Sequence, residues 1–193
     1  MILDYLSVSE LKLVRVHRYK SDEIIFHEND ECYSIGIVVS GSIVISSITF
    51  EGNEIIYNTL ESGDIFGNNL IFSKESFYRG NVISKTDSKV ALITKENLIT
   101  LLQNNQEFLI KYLEIHSEFT KSLNSKIKLL SFNSAKERFL YYLFINHNDI
   151  KFKSVTSLAN SLFLSREVTS RLINQMVRDK EIKRNGNHII KIW

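Results

Sequence analysis

The chain has 193 residues, 44% hydrophobic and 24% charged, an ordinary globular composition that excludes disordered and fibrous classes. The longest apolar run, Phe139 to Ile145, is too short to cross a bilayer, and the N-terminus carries Asp4 where a secretory leader would be basic, so a cytoplasmic protein without membrane contact is expected. The net charge of +2 hides an asymmetry: residues 1–131 hold 13 Lys+Arg against 17 Asp+Glu, a balance of −4, whereas residues 132–193 hold 11 against 5, a balance of +6. A basic C-terminal part points to a polyanionic partner, because clustered Lys and Arg displace counterions from a phosphate backbone.

Residues 1–12 read as a small helix. From about Arg18 to Leu92, β-prone segments alternate with turn residues: 23–27, 34–39, 42–46, 54–57, 81–83 and 90–93, with Gly41, Gly52, Gly63 and Gly67 between them. Short strands at such regular spacing predict a sandwich or barrel. After Thr94 the period becomes helical, first in a short helix from about Lys95 and then in a long one from about Gln106 to Leu130. On the long helix Phe108, Tyr112, Ile115, Phe119, Leu123, Ile127 and Leu130 step by three or four. That stripe suits a seam against the same helix of a second subunit, the alternative being a helix packed on its own barrel. Ser134-Ala-Lys-Glu137 matches a capping box and starts a helix carrying Phe139, Leu140, Leu143 and Phe144. Lys151 to Lys153 read as a short strand.

The last forty residues carry the most specific pattern. Ser154 can cap a short helix, Phe163-Leu164 makes a turn, and Ser165 can cap a second helix from Arg166 to about Lys180. This is a helix-turn-helix layout. Steps of about 100° per residue put Val168, Leu172 and Met176 on a buried side, and Glu167, Ser170, Arg171, Asn174 and Arg178 on a polar arc. Guanidinium for guanine, carboxylate for the amino group of cytosine, and short hydroxyls and amides for phosphate are what a major-groove reader needs. Asn185-Gly186 between β-prone runs is a strong hairpin signal, and it places Lys183, Arg184 and Asn187 near the tip of a basic wing.

The segment Ser165-Arg-Glu-Val-Thr-Ser-Arg171 resembles the recognition-helix signature of the cyclic-AMP receptor protein / fumarate-nitrate regulator (CRP/FNR) family of bacterial transcription factors. Val39-Ser-Gly41 and Gly63-Asp-Ile-Phe-Gly67 look like glycine turns of that family's nucleotide-binding roll, so the likeness covers nearly the whole chain. The resemblance implies an α+β protein with three parts: a jelly-roll sensor domain over 1–105, a dimerisation helix over 106–131 and a winged helix-turn-helix over 132–193. It also implies a homodimer on a palindromic double-stranded DNA operator, with RNA polymerase as a further partner if the protein activates. Arg166, Glu167, Ser170 and Arg171 would then read bases of a TGTGA- or TTGAT-like half-site. Ser154, Ser165, Thr169, Asn174, Lys183, Arg184 and Asn187 would hold the DNA backbone. Phe163 departs from the small residue usual in the turn.

The candidate effector pocket comprises Gly67, Asn68, Asn69, Tyr78, Arg79 and Asn124. A cyclic phosphate needs a guanidinium with hydroxyl or amide donors, and a buried ribose needs an acceptor. Carried over without gaps, the family's glutamate, arginine and serine fall on Asn68, Tyr78 and Arg79, and its adenine-facing hydroxyls fall on Leu123 and Asn124. One inserted residue would restore Arg79 to the arginine position, with Gly80 still replacing the serine. Cyclic AMP is therefore not the expected effector; an unknown small molecule, or none, is. A divergent nucleotide-responsive pocket and a ligand-sensing module without DNA are the alternatives. Iron–sulfur sensing would need more thiols than Cys32, and His17, His27 and His116 stand in no haem-like context. A metal-dependent cupin-type enzyme would need a closely spaced histidine pair, so neither a metal site nor an enzyme is expected.

Overall fold

In the computed structural model, which describes residues 1–192, the chain divides into two compact units, Met1–Ile115 and the residues from His116 onward. Trp193, the last residue of the expected C-terminal domain, lies outside the described residues.

The first unit is built from eight strands: β1 (Arg15–Tyr19), β2 (Ile24–Phe26), β3 (Ser34–Ser40), β4 (Ile43–Ile48), β5 (Glu54–Leu60), β6 (Ile65–Phe66), β7 (Asn81–Ser84) and β8 (Ser88–Thr94). They form two antiparallel sheets, ordered β1-β8-β3-β6 and β2-β7-β4-β5, the double-sheet arrangement of a jelly roll. Ile35, Ile37, Ile43, Val82, Val90 and Ile93 fill the core. All six predicted strands are present within a few residues. Two others carry no sequence signal: β6 is two residues long, and Arg-Val-His-Arg-Tyr in β1, the edge strand beside β8, lacks an apolar alternation because all of it but Tyr19 is exposed. The expected N-terminal helix is two short 3-10 turns, Ile2–Tyr5 and Glu10–Leu13.

Of the glycines in the roll, Gly36 of β3 has the closest neighbour. A Cβ there would stand 2.0 Å from Cζ of Phe66, whose ring is 2% exposed. Gly36→Ala should lower stability by on the order of 1 kcal/mol through overpacking, and Phe66→Leu in the same chain should recover part of it. Urea denaturation of the single and double variants checks this; simple additivity of the two losses would contradict it.

Helix α1 (Lys95–Asn104) and the first turns of α2 (Gln106–Ser131) complete this unit. Here the seam expectation needs correcting. Phe108 and Tyr112 are 0% and 5% exposed and belong to the core of the roll, with Ile115 packed against it. The stripe changes character beyond that point: Phe119, Leu123, Ile127 and Leu130 are exposed.

The second unit continues with α3 (Ala135–Ile145), β9 (Asp149–Lys151), α4 (Val155–Leu162), α5 (Arg166–Arg178), β10 (Ile182–Asn185) and β11 (His188–Lys191). Phe139, Leu143, Leu158, Leu162, Ile173 and Met176 from the three helices meet Ile150, Ile182 and Ile189 of a three-stranded β10-β11-β9 sheet. The Ser134 cap on α3 is half of the expected box. Its oxygen accepts the Glu137 N–H at 3.0 Å, but the Glu137 carboxylate takes the Ser134 hydroxyl at 3.1 Å rather than a backbone donor. The strand expected at 151–153 lies two residues earlier, because pairing with β11 ends at Lys151. The wing hairpin pairs Asn185 with His188, which makes Gly186 and Asn187 its two loop residues. Glycine at the first of them, at φ 58°, suits a two-residue hairpin turn.

Candidate nucleic-acid interface and effector pocket

Two serines start the helices of the helix-turn-helix. Ser154 Oγ accepts the Ser157 N–H at 3.0 Å at the head of α4, and Ser165 Oγ accepts the Val168 N–H at 3.2 Å at the head of α5. Each satisfies an otherwise unpaired helix donor and keeps its hydroxyl hydrogen free of that bond. Between them Phe163 is left-handed at φ 53°, and the Leu164 N–H donates to the Ala159 carbonyl at 3.0 Å, which closes α4 and starts the turn. The bulky residue at this position is thus accommodated as an ordinary helix C-cap, with its side chain half exposed.

On α5 the buried side consists of Thr169, Leu172, Ile173 and Met176, rotated from the expected Val168, Leu172 and Met176. Val168 is only half-buried. Thr169 is therefore misassigned as a backbone-holding residue: it is 0% exposed, and its hydroxyl donates to the Ser165 carbonyl at 3.0 Å. The hydroxyl is satisfied inside the helix. Arg166, Glu167, Arg171, Asn174 and Arg178 are exposed, with Ser170 half-buried among them. The Glu167 carboxyl is held below its ordinary range, first by a backbone N–H and the Ser165 side chain and further by the Arg166 and Arg171 guanidiniums. It is accordingly an ionised acceptor flanked by two cations.

On the wing Lys183 and Arg184 are exposed. Arg184 folds toward the tip, with Nε donating to the Gly186 carbonyl at 2.8 Å and its guanidinium 6.0 Å from the Phe152 ring. Asn187 is exposed too, but its side-chain amide donates to the Lys153 carbonyl at 2.9 Å and fastens the wing to the segment before α4. His188 and Asp149 link β11 to β9 at 2.7 Å, a pair that the sequence reading did not single out.

The expected effector residues differ in their surroundings. Tyr78 is 3% exposed and stacked on Phe26 at 4.8 Å. The Cys32 thiol donates to its hydroxyl, which lies 3.5 Å from the Ser34 carbonyl, and burial pushes the phenol far above its usual range. Tyr78 is thus a core residue rather than a ligand contact. Gly67 packs directly over that hydroxyl; a Cβ would come within 3.1 Å of it. Arg79, the next residue, is exposed and paired with Glu75 at 3.2 Å across a solvated i,i+4 spacing. Asn68 is buried, Asn69 is exposed, and Asn124 is exposed on the part of α2 that belongs to the second unit. Neither the family pattern nor local alternation singles Tyr78 out as inward-facing, since the adjacent Phe77 is exposed.

Residues 16–105 match the cyclic nucleotide-binding domain model. The chain is 30% identical over 95 residues to the cAMP-activated global transcriptional regulator CRP of Haemophilus influenzae, a match that spans 49% of this chain and 42% of that relative. It is 22% identical over 185 residues to the regulator of the same description in Salmonella typhimurium, spanning 91% of this chain and 88% of that protein. Among solved structures, a CooA mutant from Carboxydothermus hydrogenoformans is similar in fold at a TM-score of 0.69 and 20% identity, covering 98% of this chain and 89% of that one. These relatives are transcription regulators rather than enzymes. Among the described residues, no helix is long and apolar enough to cross a membrane. With a nucleotide-binding-type roll in the first unit and a winged helix-turn-helix in the second, the chain has the fold of these regulators and is similar to them over nearly its whole length.

Proposed function

We propose that the protein regulates transcription by docking α5 in the major groove of a specific DNA site, as a homodimer on a palindromic operator. The observation that carries this reading is the exposed face of α5, where Arg166, Glu167 and Arg171 stand together over a buried Leu172–Ile173–Met176 side, next to a wing bearing Lys183 and Arg184. Arg166, Glu167, Ser170 and Arg171 read a TGTGA- or TTGAT-like half-site. Ser154, Ser165, Asn174, Lys183, Arg184 and Asn187 hold phosphates. Dimerisation runs along α2 through Phe119, Leu123, Ile127 and Leu130, an exposed stripe of four apolar side chains over three turns. Two-fold symmetry then sets paired α5 helices about 34 Å apart, the spacing of successive major grooves.

The effector is not cyclic AMP. This is supported by Tyr78 in the core and Arg79 held by Glu75 at the positions where a phosphate-binding pair would stand. A nucleotide-responsive regulator with a divergent pocket is the second reading, favoured by the domain match over residues 16–105. Selection of random duplex DNA by the full chain, with and without cyclic nucleotides, separates the two. A symmetric sequence with TGA-like half-sites, enriched equally in both arms and bound with affinity that falls steeply with salt, is the expected outcome. Enrichment only with nucleotide would favour the second reading, and no enrichment would defeat both.

A further inference from the structure

Helix α3 carries an arginine whose charge meets no carboxylate among the described residues. Among the described residues Arg138 makes no ion pair; its guanidinium faces backbone carbonyls instead. Nη1 donates to the Phe163 carbonyl at 3.1 Å and lies 3.5 Å from that of Leu162, while Nη2 donates to the Phe132 carbonyl at 3.1 Å. Nε is buried with no hydrogen-bond partner. A desolvated, unpaired guanidinium N–H is costly, and the bonds that the two terminal nitrogens make offset that cost.

Those acceptors lie at two mechanically distinct places. Leu162 and Phe163 are the end of α4, where carbonyls have no intrahelical donors and a cation is favoured by the helix dipole. From this turn the chain enters α5 within three residues. Phe132 is in the short segment between α2 and α3, and its ring packs on Tyr141 at 5.2 Å, with the Lys128 ammonium 5.0 Å from the Tyr141 ring. One planar group therefore bonds both the turn that aims α5 and the segment leaving α2.

We propose that Arg138 is a positioning residue for operator recognition: it ties the helix-turn-helix turn to the segment leaving α2, so that the direction of α5 is set by the course of that segment. Its functional consequence rests on the DNA-binding reading above, whereas the tie itself concerns the free protein. Arginine is required because its rigid, planar set of donors reaches two acceptors at once; a lysine ammonium is a single point on a flexible stem.

The test uses full-length Arg138→Lys and Arg138→Met at a temperature where their thermal transitions show both folded. Amide NMR spectra of the free proteins should show shifted signals across residues 163–168 and faster exchange at the Leu164 N–H, with β10 and β11 unchanged. On the selected operator both variants should bind about tenfold more weakly, with the preferred half-site bases unaltered, since the base readers themselves are intact. Wild-type signals in Arg138→Met would overturn the tie. Wild-type affinity in Arg138→Met, or full affinity in Arg138→Lys, would overturn the positioning role, the latter showing that charge alone suffices. If the wild-type chain selects no operator, the DNA-binding reading fails while the NMR comparison still decides the tie.

Discussion

Arg171→Ala should weaken operator binding by about 1–3 kcal/mol and flatten the preference at one base pair of each half-site. Arg171 is exposed on the polar face of α5, where it helps hold the Glu167 carboxyl ionised and presents its guanidinium to solvent, within reach of a guanine edge in a docked groove. The loss should be local in sequence space, with one position relaxed and the others read as before. Lys183→Ala, by contrast, removes a wing cation, so it should weaken binding to all sequences alike and reduce the salt slope by about 1. Parallel titrations of both variants against the selected operator and single-base variants distinguish the two effects. An Arg171→Ala protein that binds the operator as tightly and as selectively as the wild type would remove this residue from the set of base readers.

Phe139→Ala should cost about 3–5 kcal/mol, enough to unfold much of the second unit near its working temperature. Phe139 is 0% exposed in the cluster that joins α3 to the helices of the reading head and to the wing, so its removal leaves a cavity bordered by several elements at once. For a unit of this size such a loss lowers the thermal midpoint by well over ~10 °C. Phe144, on the same helix but 69% exposed, serves as the control: Phe144→Ala should change stability by less than about 0.5 kcal/mol. Calorimetry of the two variants gives the comparison directly, and equal midpoints would mean that α3 does not pack as described.

Much of the architecture could be read in the chain because the relevant signals are local. The strand spacing between residues 23 and 93, the serines before α4 and α5, and the hairpin signal at Asn185-Gly186 each depend on a few neighbouring residues, and the corresponding elements are there. Some readings shifted where strand pairing or exposure decided the outcome. The wing's loop residues are Gly186 and Asn187 because the cross-strand register, not the dipeptide, decides which pair is central. The edge strand β1 has no apolar alternation to detect, since all of it but Tyr19 is exposed.

The candidate site divides along the same line. Helical periodicity by itself placed Glu167, Arg171, Asn174 and Arg178 on an exposed face of α5, because a 3.6-residue repeat fixes direction once one side is apolar. It could not decide Thr169, which sits at the border of the two faces and turns inward to bond the Ser165 carbonyl. Nor could it say what an apolar stripe packs against: Phe108 and Tyr112 carry the same spacing as Leu123 and Ile127, yet the first pair lies in the core of the roll and the second is exposed. Tyr78 shows the limit most clearly, since its place in the family pattern suggested a ligand contact while stacking on Phe26 makes it core. By itself, then, the sequence determined the order of elements, the basic C-terminal part and the polar face of α5, all properties of short-range periodicity and charge. Only the tertiary structure decided which apolar side chains are buried at home, which polar ones are already satisfied, and that Arg138 meets carbonyls at residues 132 and 163, because those outcomes depend on residues brought together from distant parts of the chain.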